Sequence, residues 1–341
     1  MNIEKTVPEL ITNRIKKYGN KILFQHKDGW SWKQVTWLDY ENSIKDAASF
    51  LLGLGFNPGN AVLMISGNRM ESIWAESGVY LLGGVLIPVS EDESVERILQ
   101  IARDAEPKFI FTGSETTLEK VRKVTGQIPS LEKVISFSDF KVGDDEKVVP
   151  FKAVLKFGAI NRKKLGEKLA EVTKGVLPDS PAAVFYDFNS GGELRRKEIA
   201  HRVLVKTIRV SSEKLSFIGE EDQVYFHLPS VSSFERLVNY LSIYMGTRIV
   251  VAETREDFFE DILEVKPSVV FETKTGLEDI CKVILCDFQK SSPIQKLRGS
   301  LGGRIKYVIT DSLPERREVR NLFSKSEILL IEIPELVSLF V

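Results

Sequence analysis

The chain contains few residues of the kinds that build metal centres and disulfide frameworks. Its 341 residues include two cysteines and three histidines, and their spacing matches no common pattern of metal ligands. Cys281 and Cys286 lie in the apolar stretch LEDICKVILCDF, which favours two buried thiols. A small secreted domain held together by disulfides is therefore disfavoured, and we assign no metal ligand from the sequence.

Long apolar runs and an excess of charge of one sign are also missing. No run approaches the ~20 apolar residues that a helix needs to span a bilayer, and the amino-terminal MNIEKTVPEL has no apolar core of a signal peptide. The formal net charge is −1, which implies no broad attraction to nucleic acid or anionic membranes. We therefore expect a cytoplasmic protein with no transmembrane segment and no nucleic-acid partner.

Short apolar runs alternate with amphipathic segments over most of the chain. Hydrophobic residues make up 43% of the sequence, which is enough for a sizeable core. The run AVLMIS at 61–66 precedes a helical pattern at 69–82, and this order repeats with other runs towards the carboxyl end. Such runs are typical of buried parallel strands and predict an α/β layered fold. We expect the least regular stretch, 138–160, to be a surface excursion.

Two local signals stand near the amino terminus. Thr6, with Glu9 three residues later and Pro8 in the first turn, predicts a capped helix. The runs KILFQH and WSWKQVT flank Lys27, Asp28 and Gly29, a pattern that predicts a β-hairpin.

The stretch FYDFNSGGELRRKEIAH, residues 185–201, predicts a strand, a glycine-containing turn and the start of a helix. Backbone N–H groups at such a turn and at a helix N-terminus can hold phosphate. Ser190, Gly191 and Gly192 would form an anion-binding nest, with Arg195 supplying positive charge beside it. The alternative interpretation is a tight turn followed by a solvated, basic first turn of helix.

The same stretch resembles the phosphate loop YTSGTTGxPKGVMLTH of long-chain acyl-CoA synthetases, which belong to the adenylate-forming, AMP-binding superfamily. Tyr186, Gly192 and His201 match that pattern without gaps. Further segments are similar to this family and run in its order from near residue 6 to near residue 333. They are residues 6–24, 66–90, 227–253, 261–280 and 302–314.

The resemblance implies a fold. We expect two mostly parallel sheets with helices in layers, as in the amino-terminal domain of adenylate-forming enzymes, without the family's small carboxyl-terminal domain. Residues 1–341 would form one synthetase-like domain. Within it, residues 61–204 would make one subdomain, and residues 1–60 together with 205–341 would make the other.

The resemblance also implies a chemistry, which is ATP-dependent activation of a fatty acid to an acyl-adenylate and then to acyl-CoA. ATP or AMP and Mg²⁺ would be the cofactors if the ancestral site survives. Asp187 and Phe188 fall where the family has small or hydroxyl residues, and Ser232 falls where it has histidine or an aromatic residue. Asp311 falls where glycine or serine lets the backbone approach adenine, and Val337 falls near the family's acidic residue.

These departures lead us to expect a phosphate-loop remnant at the nest and a remnant of the acyl or nucleotide pocket at Ser232 and Asp311, with no catalytic residue assigned. The interpretation is a scaffold that is catalytically inactive or impaired. One alternative is an active fatty-acid–CoA ligase whose missing domain comes from a partner chain. Another is a non-catalytic scaffold that holds an acyl ligand and assembles as a homo-oligomer or with an active paralogue.

Overall fold

A computed structural model describes residues 3–138, 145–189, 191–226, 233–252, 257–285 and 292–334 of the chain. The chain divides into two compact units. The first unit is Met1–Asn20 with Trp37–Lys206, and the second unit is Lys21–Thr36 with Thr207–Val341. This division groups residues 1–20 and 37–60 with residues 61–204, whereas the resemblance groups them with residues 205–341. The subdomain boundaries given above stay a prediction.

Strands and helices alternate through both units of the described chain. The strands are β1 Ile22–Asp28, β2 Ser31–Thr36, β3 Ala61–Ile65, β4 Val85–Val89, β5 Phe109–Thr112, β6 Lys133–Ser136, β7 Val148–Pro150, β8 Pro181–Phe188, β9 Leu194–Ala200, β10 Gln223–Phe226, β11 Arg248–Val251, β12 Val269–Glu272, β13 Tyr307–Thr310 and β14 Leu329–Glu332. The helices are α1 Val7–Tyr18, α2 Trp37–Gly53, α3 Met70–Leu81, α4 Val95–Ala105, α5 Glu115–Arg122, α6 Phe151–Lys174, α7 His201–Lys214, α8 Ser233–Met245, α9 Phe258–Val265, α10 Lys274–Leu285, α11 Pro293–Ser300 and α12 Arg317–Lys325.

The sheet of the first unit has the strand order β7-β6-β5-β3-β4-β8-β9. All of its neighbouring strands run parallel except β8 and β9. The register aligns Leu63 with Ile87 and Ile110, and Ile110 with Val134. These four side chains are at most 1% exposed. The continuous apolar runs seen in the sequence therefore form rows across the sheet, and α4 and α5 cover them.

The sheet of the second unit has the order β14-β13-β12-β10-β11-β1-β2. It is parallel except for the β1–β2 hairpin at its edge. Tyr225 aligns with Val250 and Val270, and Val270 aligns with Val308, in a core that also takes side chains from α9 to α12. The expected α/β fold with two mostly parallel sheets is confirmed.

The local signals near the amino terminus are confirmed as well. The Thr6 side chain accepts from the Glu9 N–H, and the Glu9 carboxylate accepts from the Thr6 N–H, which completes the capping box of α1. β1 and β2 pair antiparallel up to Asp28 and Ser31. Gly29 in the turn has φ of 61°, a conformation that glycine adopts without strain.

The expectation of an irregular excursion at 138–160 is wrong for its second half. Residues 148–150 form β7, and α6 begins at Phe151 and runs for 24 residues. The buried positions of this helix are Phe151, Val154, Gly158 and Leu169. A lysine-rich exposed face hides their spacing in the sequence. A Cβ at Gly158 would collide with the backbone carbonyl of Asp46 in α2, so this glycine permits the close helix contact. Among the described helices, none is both long and apolar enough to cross a bilayer.

Candidate functional site

The predicted phosphate loop is the tip of a β-hairpin in the first unit. β8 and β9 pair antiparallel from Pro181 opposite Ala200 to Phe188 opposite Leu194. The prediction that a helix starts directly after the glycines is wrong. The residues that follow them form the seven-residue strand β9, which pairs with β8. α7 begins only at His201. The helix N-terminus is therefore separated from the glycines by the whole length of β9.

Asn189 closes the hairpin tip with both its backbone and its side chain. Its Oδ1 accepts from the N–H groups of Gly191 and Glu193, each at 2.9 Å, and its backbone oxygen accepts from the Gly192 N–H at 2.9 Å. Gly192 has φ of 78°, in the left-handed region that glycine favours. Three successive N–H groups thus converge on one residue of the chain. Ser190, the first nest residue, lies outside the described residues.

This geometry bears on the proposed nest. A nest binds an anion through backbone N–H groups that point at a common centre, and here the oxygens of Asn189 take that place. An incoming phosphate would have to displace the Asn189 amide and break two hydrogen bonds to reach Gly191 and Glu193. The anion site at these residues stays a prediction, and the loop geometry favours the tight-turn alternative.

Side chains from the hairpin also engage α4. The Tyr186 hydroxyl donates to Asp104 Oδ2 at 2.6 Å, and the Arg97 guanidinium lies 4.4 Å from the centre of the Phe188 ring. Burial and the neighbouring Asp104 carboxylate raise the pKa of Tyr186 above its ordinary value. Phe188, which replaces a small residue of the family pattern, therefore has a packing partner.

The remaining predicted residues of the hairpin lie in water. Asp187 and Arg195 stand directly opposite each other in the ladder and are exposed, so both project from the same face of the hairpin. The Asp187 carboxylate accepts from the Phe188 N–H at 2.7 Å. It places negative charge on the face where Arg195 would have to attract phosphate.

His201, which matches the family pattern, is a packing residue. It is fully buried, its Nδ1 accepts from the Val7 N–H at 3.4 Å, and its ring meets Tyr80 edge-on. Burial lowers the pKa of His201 to about 4, so the ring is neutral near pH 7. It joins the start of α7 to the start of α1.

The second candidate region is the carboxyl edge of the sheet in the second unit. The register aligns Glu272 at the end of β12 with Thr310 at the end of β13, and Thr310 with Glu332 at the end of β14. In a parallel sheet this edge is where loops commonly hold ligands. Asp311, the predicted pocket residue, directly follows β13.

The Asp311 carboxylate closes this edge. Its Oδ1 accepts from the Lys274 N–H at 2.7 Å, from the Ser312 N–H at 2.8 Å and from the Thr310 hydroxyl at 3.0 Å. Lys274 is the first residue of α10, and the N-terminus of a helix attracts negative charge. The chain thus places its own carboxylate where a helix N-terminus could hold an anion.

Glu272 fills the space next to this contact. It is 2% exposed, and its Oε1 accepts from the Thr273 N–H at 2.8 Å. A Cβ at Gly276 would collide with the Glu272 carboxyl group, so the glycine makes room for the glutamate below the first turn of α10. Within the described ranges, no group of three or more histidine, cysteine, aspartate or glutamate side chains is placed to hold a metal ion.

Two other predictions fall partly outside the described residues. Ser232 and Val337 are among the residues not described. From the segment that contains Ser232, Phe234 and Arg236 in α8 are buried at 4% and 7% exposure. Asn189 and Glu272 depart from the family pattern in the sequence, but neither was predicted as a residue of the site. An asparagine before two glycines after a strand is a signal for the first, because asparagine side chains commonly close turns on nearby N–H groups.

Comparison with known proteins places these observations in context. Residues 11–325 match the family described as AMP-binding enzyme. The chain is 19% identical to the long-chain-fatty-acid–CoA ligase FadD15 of Mycobacterium tuberculosis, over 76% of this chain and 42% of that protein. It is 20% identical to the long-chain-fatty-acid–CoA ligase ACSBG2 of Rattus norvegicus, over 85% of this chain and 44% of that protein. The chain therefore spans less than half the length of these relatives.

Solved structures share the fold. The long-chain-fatty-acid-CoA ligase FadD1 from Archaeoglobus fulgidus has a TM-score of 0.72 at 14% identity, over 97% of this chain and 64% of that one. The anthranilate CoA ligase AuaEII, solved with anthranoyl-AMP, has a TM-score of 0.78 at 14% identity, over 97% of this chain and 60% of that one. The similarity noted in the sequence is confirmed.

Proposed function

Because the chain belongs to the family of AMP-binding enzymes, we propose that it is a long-chain acyl-CoA synthetase-like protein whose own fatty-acid activation is impaired or absent. The family reaction, as implied by the resemblance, joins a fatty-acid carboxylate to the AMP part of ATP and then transfers the acyl group to coenzyme A. Both steps need a nucleotide held in place by hydrogen-bond donors and cations.

One observation carries the proposal. In each unit, the loop that corresponds to a family ligand motif uses a side chain of this chain to satisfy its backbone N–H groups. Asn189 does so in the first unit and Asp311 in the second. A ligand phosphate would compete with both, and it would meet negative charge at Asp311.

The repulsion between a carboxylate of the chain and a bound phosphate is large enough to weaken nucleotide binding. Two unit charges ~4 Å apart repel by about 1 kcal/mol in water and about 4 kcal/mol near a protein surface. Asp187 adds a second carboxylate at the hairpin. The described residues of these two loops therefore disfavour a bound triphosphate in this conformation.

The test is fatty-acid-dependent exchange of pyrophosphate into ATP by the purified chain, with palmitate as the acid. We expect no exchange above a heat-denatured control. Clear exchange that depends on palmitate would overturn the proposal.

A second candidate function is an active ligase that needs the rest of a synthetase in trans. It is favoured by the partial coverage of the relatives, of which this chain matches 42% to 44%. Mixing the chain with a separately produced carboxyl-terminal domain of an active relative distinguishes the two. Exchange that appears only in the mixture would support the ligase, whereas continued inactivity would support the proposal.

A third candidate is a scaffold that binds an acyl ligand or assembles with itself or an active paralogue. Its motive is the retention of buried scaffold residues such as Phe234 and Arg236 beside altered loops. Sedimentation of the chain alone and with an active synthetase tests it.

A cytoplasmic location also stays a prediction, and cell fractionation tests it.

A further inference from the structure

The first unit contains a cavity that is separate from the hairpin tip. It has a volume of about 580 Å³ and lies between α1, α2 and α6. Its lining comes from residues 6–16, 41–45 and 162–176, with Leu81. This volume is in the range of sites for small organic ligands.

The floor of the cavity is apolar. The buried side chains that form it are Ile15, Ile44, Leu81, Leu169 and Val176. An apolar floor gives a hydrophobic group a place out of water, which is the main source of affinity for small ligands.

Two glycines of α6 have different surroundings. A Cβ at Gly158 would collide with the Asp46 backbone, whereas a Cβ at Gly166 would meet nothing within 4 Å. Glycine in a helix interior is less stable than alanine. Tight contact explains Gly158 but not Gly166, which lines the cavity. A side chain at position 166 would therefore enter open space on the cavity wall.

The rim of the cavity is mostly basic. Lys16, Lys45, Arg162 and Lys174 line it, against the acidic Glu9 and Glu41. Both acids are engaged within the chain. Glu9 accepts from the backbone N–H groups of the α1 capping box, and Glu41 pairs with Lys45 at 2.7 Å.

The other three cations of the rim differ from the Glu41–Lys45 pair. Arg162 is held by Asn42 at 2.6 Å and by Asp46 at 3.3 Å. Lys16 and Lys174 are exposed and lie in the last turns of α1 and α6. They are therefore placed to attract an anionic group at the mouth.

We propose that this cavity binds an amphipathic organic anion, with its apolar body on the aliphatic floor and its acidic group at the Lys16 and Lys174 rim. The site is independent of the nucleotide loops. A ligand there would contact three helices of the first unit at once and would stabilise that unit, because it binds only the folded form.

The probe pair is 8-anilinonaphthalene-1-sulfonate and N-phenyl-1-naphthylamine, which share the aromatic body and differ in the sulfonate. Fluorescence titration of the folded chain measures both. We expect one saturable site for the sulfonate and weaker binding of the neutral compound. Absence of saturable sulfonate binding would overturn the proposal.

Gly166→Leu is the decisive variant, since the new side chain enters the open space. We expect it to weaken sulfonate binding by about tenfold or more, the effect of roughly 1.4 kcal/mol. Gly299→Leu is the matched control, because Gly299 lies in α11 of the second unit and a Cβ there also meets nothing within 4 Å. It should bind like the unaltered chain. Unchanged affinity in Gly166→Leu would contradict the proposal.

A second pair of variants tests the charged rim. Lys16→Gln with Lys174→Gln should weaken the sulfonate several-fold and leave the neutral probe unchanged, since exposed charge contacts are individually modest. Equal loss for both probes would refute the assigned head-group site. Circular dichroism checks folding throughout. Should Gly166→Leu fail to fold, Ala170→Leu, one turn further along the same cavity wall, provides the same test.

Discussion

At the hairpin tip of the first unit and at the carboxyl edge of the second unit, different side chains satisfy the free backbone N–H groups. Each has backbone N–H groups directed at a common point, and in each a side chain of the chain occupies that point. At the tip the group is the neutral, partly exposed amide of Asn189. At the edge it is the Asp311 carboxylate, which holds the first N–H of α10.

The closing groups of the two loops differ in how strongly they hold their N–H partners. A neutral amide in water exchanges its partners at little cost, because a typical hydrogen bond contributes about 1 kcal/mol net. A carboxylate at a helix N-terminus gains both charge-assisted bonds and the helix dipole. We therefore expect the second unit to resist a competing anion more strongly than the first.

The largest expected effect is on the stability of the first unit and comes from the buried His201, which directly follows β9. The pKa of His201 is lowered to about 4 by burial, below the ~6.5 of an unfolded chain. The stability contributed by neutral His201 is complete above pH ~6.5 and is lost as the pH falls towards ~4, by up to about 3 kcal/mol. Urea unfolding between pH 7 and pH 4 measures this loss.

His201→Gln cannot titrate in this range and should flatten the slope. An unchanged slope in that variant would show that other groups cause the acid sensitivity. Amide exchange can follow the two units separately. A loss of stability confined to the first unit, which contains His201, would separate the behaviour of the two units more clearly.

The next effect tests the edge of the second unit. Asp311→Ala removes three hydrogen bonds, one of them to a helix N-terminus, and should destabilise the second unit by about 2 kcal/mol. Asp311→Asn keeps an acceptor oxygen and should cost less. Urea unfolding followed by circular dichroism measures both. A loss in Asp311→Ala no greater than in Asp311→Asn would contradict the role of the carboxylate oxygens.

A smaller effect is expected at the hairpin tip. Asn189→Ala should cost about 1 kcal/mol or less, since the bonds lost are exposed and neutral. Hydrogen exchange at Gly191 and Glu193 should accelerate, whereas Asn189→Asp, which retains an acceptor, should keep their protection. If Asn189→Ala destabilises the chain more than Asp311→Ala, the ranking of the two loops is wrong.

The smallest effect is on ligand affinity at the tip. Replacing Asp187 with Thr and Phe188 with Ser removes a like charge and a bulky ring, and it should raise affinity for ATP a few-fold at most, because exposed charge contacts are weak. The loss of the Arg97 contact with Phe188 works against this gain. Equilibrium dialysis with labelled ATP measures it. ATP retention no higher in the variant than in the unaltered chain would remove the nest hypothesis.

The sequence was informative where structure is local. The capping box of Thr6 and Glu9 and the hairpin at Gly29 follow from neighbouring residues, and both are confirmed. The alternation of short apolar runs was enough for the class of fold. The family resemblance supplied the rest of the architecture.

The errors arose where distant residues decide. Residues 194–200 carry charges that suit a solvated helix, yet pairing with β8 makes them a strand. The buried positions of α6 are separated by many lysines, so the sequence does not show a clear apolar stripe. The close contact of Gly158 with α2 becomes visible only in the structure. The hydrogen bond from the Lys274 N–H to the Asp311 carboxylate is equally non-local. Such contacts leave little trace in a single sequence.

We infer that the chain's own side chains occupy the backbone N–H groups that would hold a nucleotide. Isothermal titration of the chain with ATP and Mg²⁺ tests it most directly, with the Asn189→Gly, Asp311→Ala double variant run in parallel. We expect no saturable heat from the unaltered chain at millimolar ATP. A saturable isotherm with a micromolar Kd for the unaltered chain would contradict it.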